Sequence, residues 1–242
     1  MQIAFLLYEG VTSLDAIGPY EVLQRMPGAE AVFVAEQRGP VTTETGSLSL
    51  VASCAFEEVP SPDILVVPGG YGNRALLEHE PLLDWIRRAH ATTTWTTSVC
   101  TGSLLLAAAG VLDGVPATTH WLSFDALARL GVDPVAERVV EHGKIVTAAG
   151  VSAGIDMALR LVQRIGGDEL AQAIQLGIEY DPDPPFDCGT PEKAPPAIVE
   201  LVRGASSVRA PAATHGLPAL PRDSKDQRGD QQSDHRVGDR GP

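Results

Sequence analysis

One cysteine, Cys100, falls between a β-branched run and a string of small residues in Thr96-Thr97-Ser98-Val99-Cys100-Thr101-Gly102-Ser103, and that placement suits a nucleophile. The thiolate is the reactive form of cysteine. Backbone amides at a helix start favour it, and cysteines placed there reach pKa values of roughly 3.5 to 7.5. Residues 92–99 are rich in Thr, Val and Trp, which suit a half-buried strand. Gly102 and Ser103 then open the apolar run 104–109, good helix formers closed by Gly110. The order predicts a strand-to-helix corner at Cys100, the geometry known for serine in the nucleophile elbow. A buried structural thiol is the competing reading, and the corner context favours the nucleophile.

Three other places could act with it. Asp15 lies in the mostly apolar Leu14-Asp15-Ala16-Ile17-Gly18-Pro19, where burial would raise its pKa until it can give up a proton near neutral pH; a plain first-turn acid is the alternative. Gly69 and Gly70 follow an apolar run, and their amides together with that of Thr101 could form an oxyanion-type site; taken alone, the pair reads as an ordinary tight turn. His120, in Thr118-Thr119-His120-Trp121, is a further candidate acid or base, although a lone histidine at a strand end is more often structural. No serine pairs clearly with a histidine and an aspartate. The histidines lack HExxH or CxxC spacing, so no metal is expected. Gly69-Gly70-Tyr71-Gly72 lacks both the Lys-Ser/Thr of a phosphate loop and the GxGxxG order of a dinucleotide site, which argues against nucleotide binding.

The elements that would position these residues alternate between strand and helix. Strands are expected at 3–8, 32–36, 64–67 and 92–99, and a short one at 117–120. Helices are expected at 15–25 (capped by Thr12 or Ser13), 75–90, 104–109, 121–130, 152–165 and 168–176, with a hairpin over 139–146. The unbroken Ile64-Leu65-Val66-Val67 is the mark of a strand covered on both faces. Such alternation implies an α/β domain with a mostly parallel sheet and helices on both sides. In an open parallel sheet the ligand crevice lies at the carboxyl ends of the strands, and there Asp15, Gly69, Gly70 and Cys100 converge from three separate segments.

Of the 242 residues, 44% are hydrophobic and the formal charge is −13, a balance that suits an acidic enzyme and disfavours nucleic-acid binding. Residues 203–242 carry seven basic and five acidic groups and no Phe, Trp or Tyr, leaving −15 on residues 1–202. These last forty residues read as a disordered tail behind a single domain over 1–202, because they hold too little apolar area to offset their chain entropy. Three cysteines without pairing or metal spacing, a start lacking a basic export region, and no run of ~20 apolar residues together point to the cytoplasm, with no membrane partner.

The segments Leu14-Asp15-Ala16-Ile17-Gly18-Pro19-Tyr20-Glu21-Val22, Val67-Pro68-Gly69-Gly70, Ser98-Val99-Cys100-Thr101-Gly102 and Ala117-Thr118-Thr119-His120-Trp121 resemble the ThiJ/PfpI superfamily. With the stretch 177–187 they are most similar to its isonitrile hydratase branch. The resemblance covers about residues 2–195. It implies a flavodoxin-like three-layer sandwich, a homodimer, Cys100 at the elbow, Asp15 beside the sulfur where many relatives use glutamate, and amides lent by Gly70 and Thr101. Protease-like members place a histidine after the cysteine; Thr101 stands there, which disfavours a peptidase. The implied activity is cofactor-independent hydration of an isonitrile to an N-substituted formamide, with Cys100 adding as thiolate and Asp15 and Thr101 assisting. Glyoxalase- or amidase-like turnover of other small electrophiles stays open, and so do two alternatives of other kinds. A similar domain begins AraC-type regulators, but 203–242 is too short and polar to make their helix-turn-helix, which leaves a stand-alone small-molecule sensor. A redox or stress protein that oxidises at Cys100 is the other.

Overall fold

The computed structural model describes residues 1–207. Seven strands form one sheet in the order β5-β2-β1-β6-β7-β9-β8: β1 Gln2–Leu6, β2 Glu30–Ala35, β5 Cys54–Ala55, β6 Ile64–Val67, β7 Trp95–Val99, β8 Val139–His142 and β9 Ile145–Ala148. All neighbours pair in parallel except β8 with β9. A separate antiparallel hairpin joins β3 Gly39–Thr42 to β4 Ser49–Ala52.

Side-chain alternation explains why β1 and β6 are apolar throughout. Ile3, Phe5, Ile64 and Val66 pack on one face with Val22 and Leu23 of α1 Ser13–Leu23 and with Leu161 and Val162 of α5 Ala153–Gly166. Ala4, Leu6, Leu65 and Val67 face the other way, towards Leu82, Trp85 and Ile86 of α2 Glu80–Thr92 and Leu105 of α3 Gly102–Ala108. A period of two thus serves two cores, which is the three-layer α/β sandwich expected of this order.

Several boundaries differ from expectation for identifiable reasons. The helix expected over 75–90 divides into a 3₁₀ stretch, Tyr71–Leu76, and α2, because Pro81 near the amino end sets a new helix start. Similarly, 121–130 becomes a 3₁₀ turn, Trp121–Ser123, followed by α4 Phe124–Arg129. No strand forms over 117–120; only an isolated bridge pairs Ala117 with Pro134. Both edges of β9 are already taken by β7 and β8, so Thr118 N donates to the Thr147 hydroxyl (2.9 Å) instead of joining a ladder. The hairpin expected over 139–146 forms as β8 and β9, whereas the β3–β4 hairpin and β5 lie outside the sequence expectations.

After α6 Asp168–Gly177, the described residues close with α7 Pro196–Ser207, which runs across the expected 202/203 boundary; the rest of the expected tail, 208–242, lies outside the described residues. The Arg203 guanidinium of α7 sits 5.6 Å from the Trp121 ring centroid, so this helix lies beside the loop that carries His120. Among the described residues, no helix is long and apolar enough to cross a membrane.

Candidate active site

Cys100 occupies the corner between β7 and α3 with φ +57, a conformation that disfavours side chains with a Cβ. Four hydrogen bonds hold it there. Its amide donates to Ala148 O (3.0 Å) and Ala149 O (2.9 Å), and its carbonyl accepts from the hydroxyls of Ser103 (3.2 Å) and Thr119 (3.1 Å). Backbone strain maintained by surrounding bonds is a property of functional positions. The small residues that follow are needed for close approach: a Cβ on Gly102 would fall 2.0 Å from Val67 O.

Asp15 reaches the sulfur from the first turn of α1. It is fully buried; its Oδ2 accepts from Gly69 N at 2.9 Å, its Oδ1 has no hydrogen-bond partner, and the Cys100 thiol lies near enough for each group to act on the other's ionisation. Burial pushes its pKa up to about 7, the Gly69 amide opposes that rise, and the Glu44 charge adds to it. The Cys100 thiol is pushed well above its ordinary range, first by burial and then by the Asp15 charge, against which the amides of Val151 and Thr101 pull weakly. This reverses the depressed cysteine expected from the helix start. Two amides do not offset the removal of a thiolate from water, so the resting pair is a neutral thiol beside a carboxyl group that titrates near neutrality.

The two glycines expected as open donors are both engaged. Gly69 N holds Asp15, and Gly70 N donates to Thr101 Oγ1 at 3.1 Å, while Thr101 O accepts from Asn73 Nδ2 at 2.8 Å. Their role in this arrangement is to orient the carboxyl and the corner. A Cβ on Gly69 would lie 2.6 Å from both the amide nitrogen and Oγ1 of Thr101. Gly69→Ala should therefore lower the melting temperature by about 5 °C, the expectation for one to three kcal/mol of overpacking; a differential-scanning trace matching the wild type would show that the loop can yield.

His120 is brought near, on the other side. Its Nδ1 accepts from Leu122 N at 3.3 Å, its ring edge rests on Gly150, and burial depresses its pKa, so the imidazole is neutral. It buttresses the Gly150–Val151 turn, whose Val151 amide meets the sulfur.

Sequence reasoning missed Val151, Tyr8, Asn73 and Glu44. Val151 has φ +32 and belongs to no motif, so nothing local could have marked it. Tyr8, a polar-tipped aromatic at the end of a buried strand, could have been noticed: its hydroxyl donates to Pro68 O at 2.8 Å and supports the glycine loop.

With this geometry in place, the chain can be set beside known proteins. Residues 1–164 match the DJ-1/PfpI family. An isonitrile hydratase of Pseudomonas putida is 48% identical over 203 residues, which cover 84% of this chain and 89% of that protein. A crystal structure of a ThiJ/PfpI family protein from Pseudomonas syringae superposes with a TM-score of 0.82 at 38% identity, covering 85% of this chain and 86% of the other. The HTH-type transcriptional regulator CdhR of Pseudomonas aeruginosa is 34% identical over 136 residues, 55% of this chain but 40% of that protein.

Proposed function

Because the chain belongs to the DJ-1/PfpI family, we propose that it is an enzyme that hydrates an isonitrile to an N-substituted formamide, a hydro-lyase working without a cofactor. The observation that carries this reading is the burial of the Cys100 thiol beside the Asp15 carboxyl, each unusually reluctant to hold charge. Likeness to the P. putida hydratase along nearly its whole length supports the choice of substrate class.

The steps follow from the transfer of the thiol proton to Asp15. As the isonitrile R–N≡C enters, the thiol proton passes through Asp15 to the terminal carbon, and the sulfur bonds to that same carbon. The product is a thioimidate, R–N=CH–S–Cys100, with no atom left over. Asp15, again ionised, takes a proton from a water molecule as that water adds to the C=N carbon; the nitrogen is protonated in turn. Collapse of the tetrahedral adduct breaks the C–S bond, releases R–NH–CHO and returns the proton to the sulfur. The Thr101 and Val151 amides bear on the sulfur and stabilise charge while it departs.

Incubating the protein with cyclohexyl isonitrile and following the formyl proton by NMR tests the reading. Stoichiometric growth of the formamide is expected, and rapid acid quench should trap Cys100 heavier by one isonitrile. Absence of formamide together with saturable isonitrile binding would favour the sensor reading, for which the partial match to a transcriptional regulator is the specific support. Assembly as a cytoplasmic homodimer belongs to the same proposal by family resemblance; a monomeric mass in light scattering would remove that part.

A further inference from the structure

The β3–β4 hairpin is fastened over the loop that follows β1. Gly10 N donates to Thr42 O (2.8 Å), Glu44 N donates to Val11 O (3.0 Å), Val11 and Thr43 form an isolated bridge, and Thr42 N donates to the Glu9 carboxylate (3.2 Å). The same loop continues to Thr12, whose amide donates to Gly69 O at 2.9 Å, and so leads directly into Asp15. Glu44 is thereby held across this short loop from the glycines and the reacting pair, close enough for its charge to act on Tyr8, Asp15 and Cys100 alike.

Glu44 is half-buried, and among the described residues its carboxylate has no ion pair and no hydrogen bond. A carboxylate partly withdrawn from water without a partner is costly. The Cys100–Asp15 chemistry gives it no task, since neither proton transfer nor sulfur attack passes through it. An arriving cation would supply the missing partner, and the formal charge of −13 would steer such a ligand towards the protein.

We propose that Glu44 is the specificity-determining residue of this site and that it selects isonitriles carrying a cationic substituent, an ammonium or quaternary ammonium group, which its carboxylate holds while the isonitrile carbon meets Cys100. The inference rests on the hydration reading. It gives the Glu44 charge a use apart from the reacting pair: an interaction remote from the reacting carbon binds the side group without touching the bonds that change.

A matched pair of substrates tests it: 2-isocyanoethyl-trimethylammonium and its neutral carbon isostere, 3,3-dimethylbutyl isonitrile. Wild-type protein at low salt is expected to favour the cation by about tenfold in kcat/KM, carried by KM, the scale of one partly buried charge contact. Raising the ionic strength should shrink that ratio. Glu44→Gln should bring it close to one, Glu44→Asp should retain part of it, and Glu44→Lys should invert it. Hydration of both compounds with no cationic preference, or an unchanged ratio in Glu44→Gln, would overturn this inference and leave the hydration reading standing. Hydration of neither would overturn the reading itself, and this inference with it.

Discussion

Cys100→Ala is expected to abolish formamide formation, with a loss of about 10⁴-fold or more in kcat, because it removes the thiol that forms the covalent bond dividing the reaction into two steps. The fold should survive, since the substitution removes one sulfur from a corner held by backbone bonds to Ala148, Ala149, Ser103 and Thr119. Turnover that persists in Cys100→Ala would sink the covalent mechanism. Alkylation of the wild-type thiol offers a companion measurement. A thiol raised by burial and by the Asp15 charge should react slowly with iodoacetamide at pH 7 and faster as the pH rises, whereas a helix-start cysteine with a depressed pKa would already react fully there.

Asp15→Asn should have the second largest effect, a fall of 10²- to 10⁴-fold, about what general acid–base catalysis contributes. The pH dependence carries the sign. The reactive pair needs Asp15 ionised so that it can accept the thiol proton, so kcat/KM should rise with pH through about 7 and then level off. Because the two groups are coupled, that apparent value belongs to the pair. The acid limb should vanish in Asp15→Asn; a limb of unchanged position in that variant would assign it to another group.

Stability should move in the opposite direction. The folded pKa of Asp15 is about 7, against an ordinary value of 3.8. Folding therefore holds a proton that the unfolded chain releases between these values, and stability falls as the pH rises across that window, at about 1.4 kcal/mol per unit. Asp15→Asn, which has no charge to bury, should melt higher than the wild type at pH 8 and nearly with it at pH 4. A variant less stable than the wild type at pH 8 would mean that the Gly69 hydrogen bond outweighs the cost of burying the charge. A site that stabilises the protein when removed is one kept for its chemistry.

Much of the arrangement was legible locally. The β-branched run ending at Val99 and the small residues Gly102 and Ser103 encode a strand, a corner and a helix, because backbone preference is a short-range property. The apolar Ile64–Val67 is buried on both faces as read, and Gly110, with φ +76, stops α3 as glycine does. Even the elevated Asp15 carboxyl could be anticipated from its apolar neighbours.

Tertiary structure alone decided the rest. The Cys100 thiol rises instead of falling, because desolvation is a sum over every segment packed around the sulfur, and the local motif counts only its own amides. Gly69 and Gly70 face Asp15 and Thr101 instead of open space, since a hydrogen-bond donor takes whichever acceptor the fold brings within reach. The stretch 117–120 forms no strand because β9 had no free edge to offer. Val151 and Glu44 arrive from distant turns that no spacing rule connects to Cys100. By itself, then, the sequence determined which residues could react, through local conformation and residue type. Only the fold decided how they are charged and what they touch, because dielectric and partner are properties of the surroundings and not of the chain.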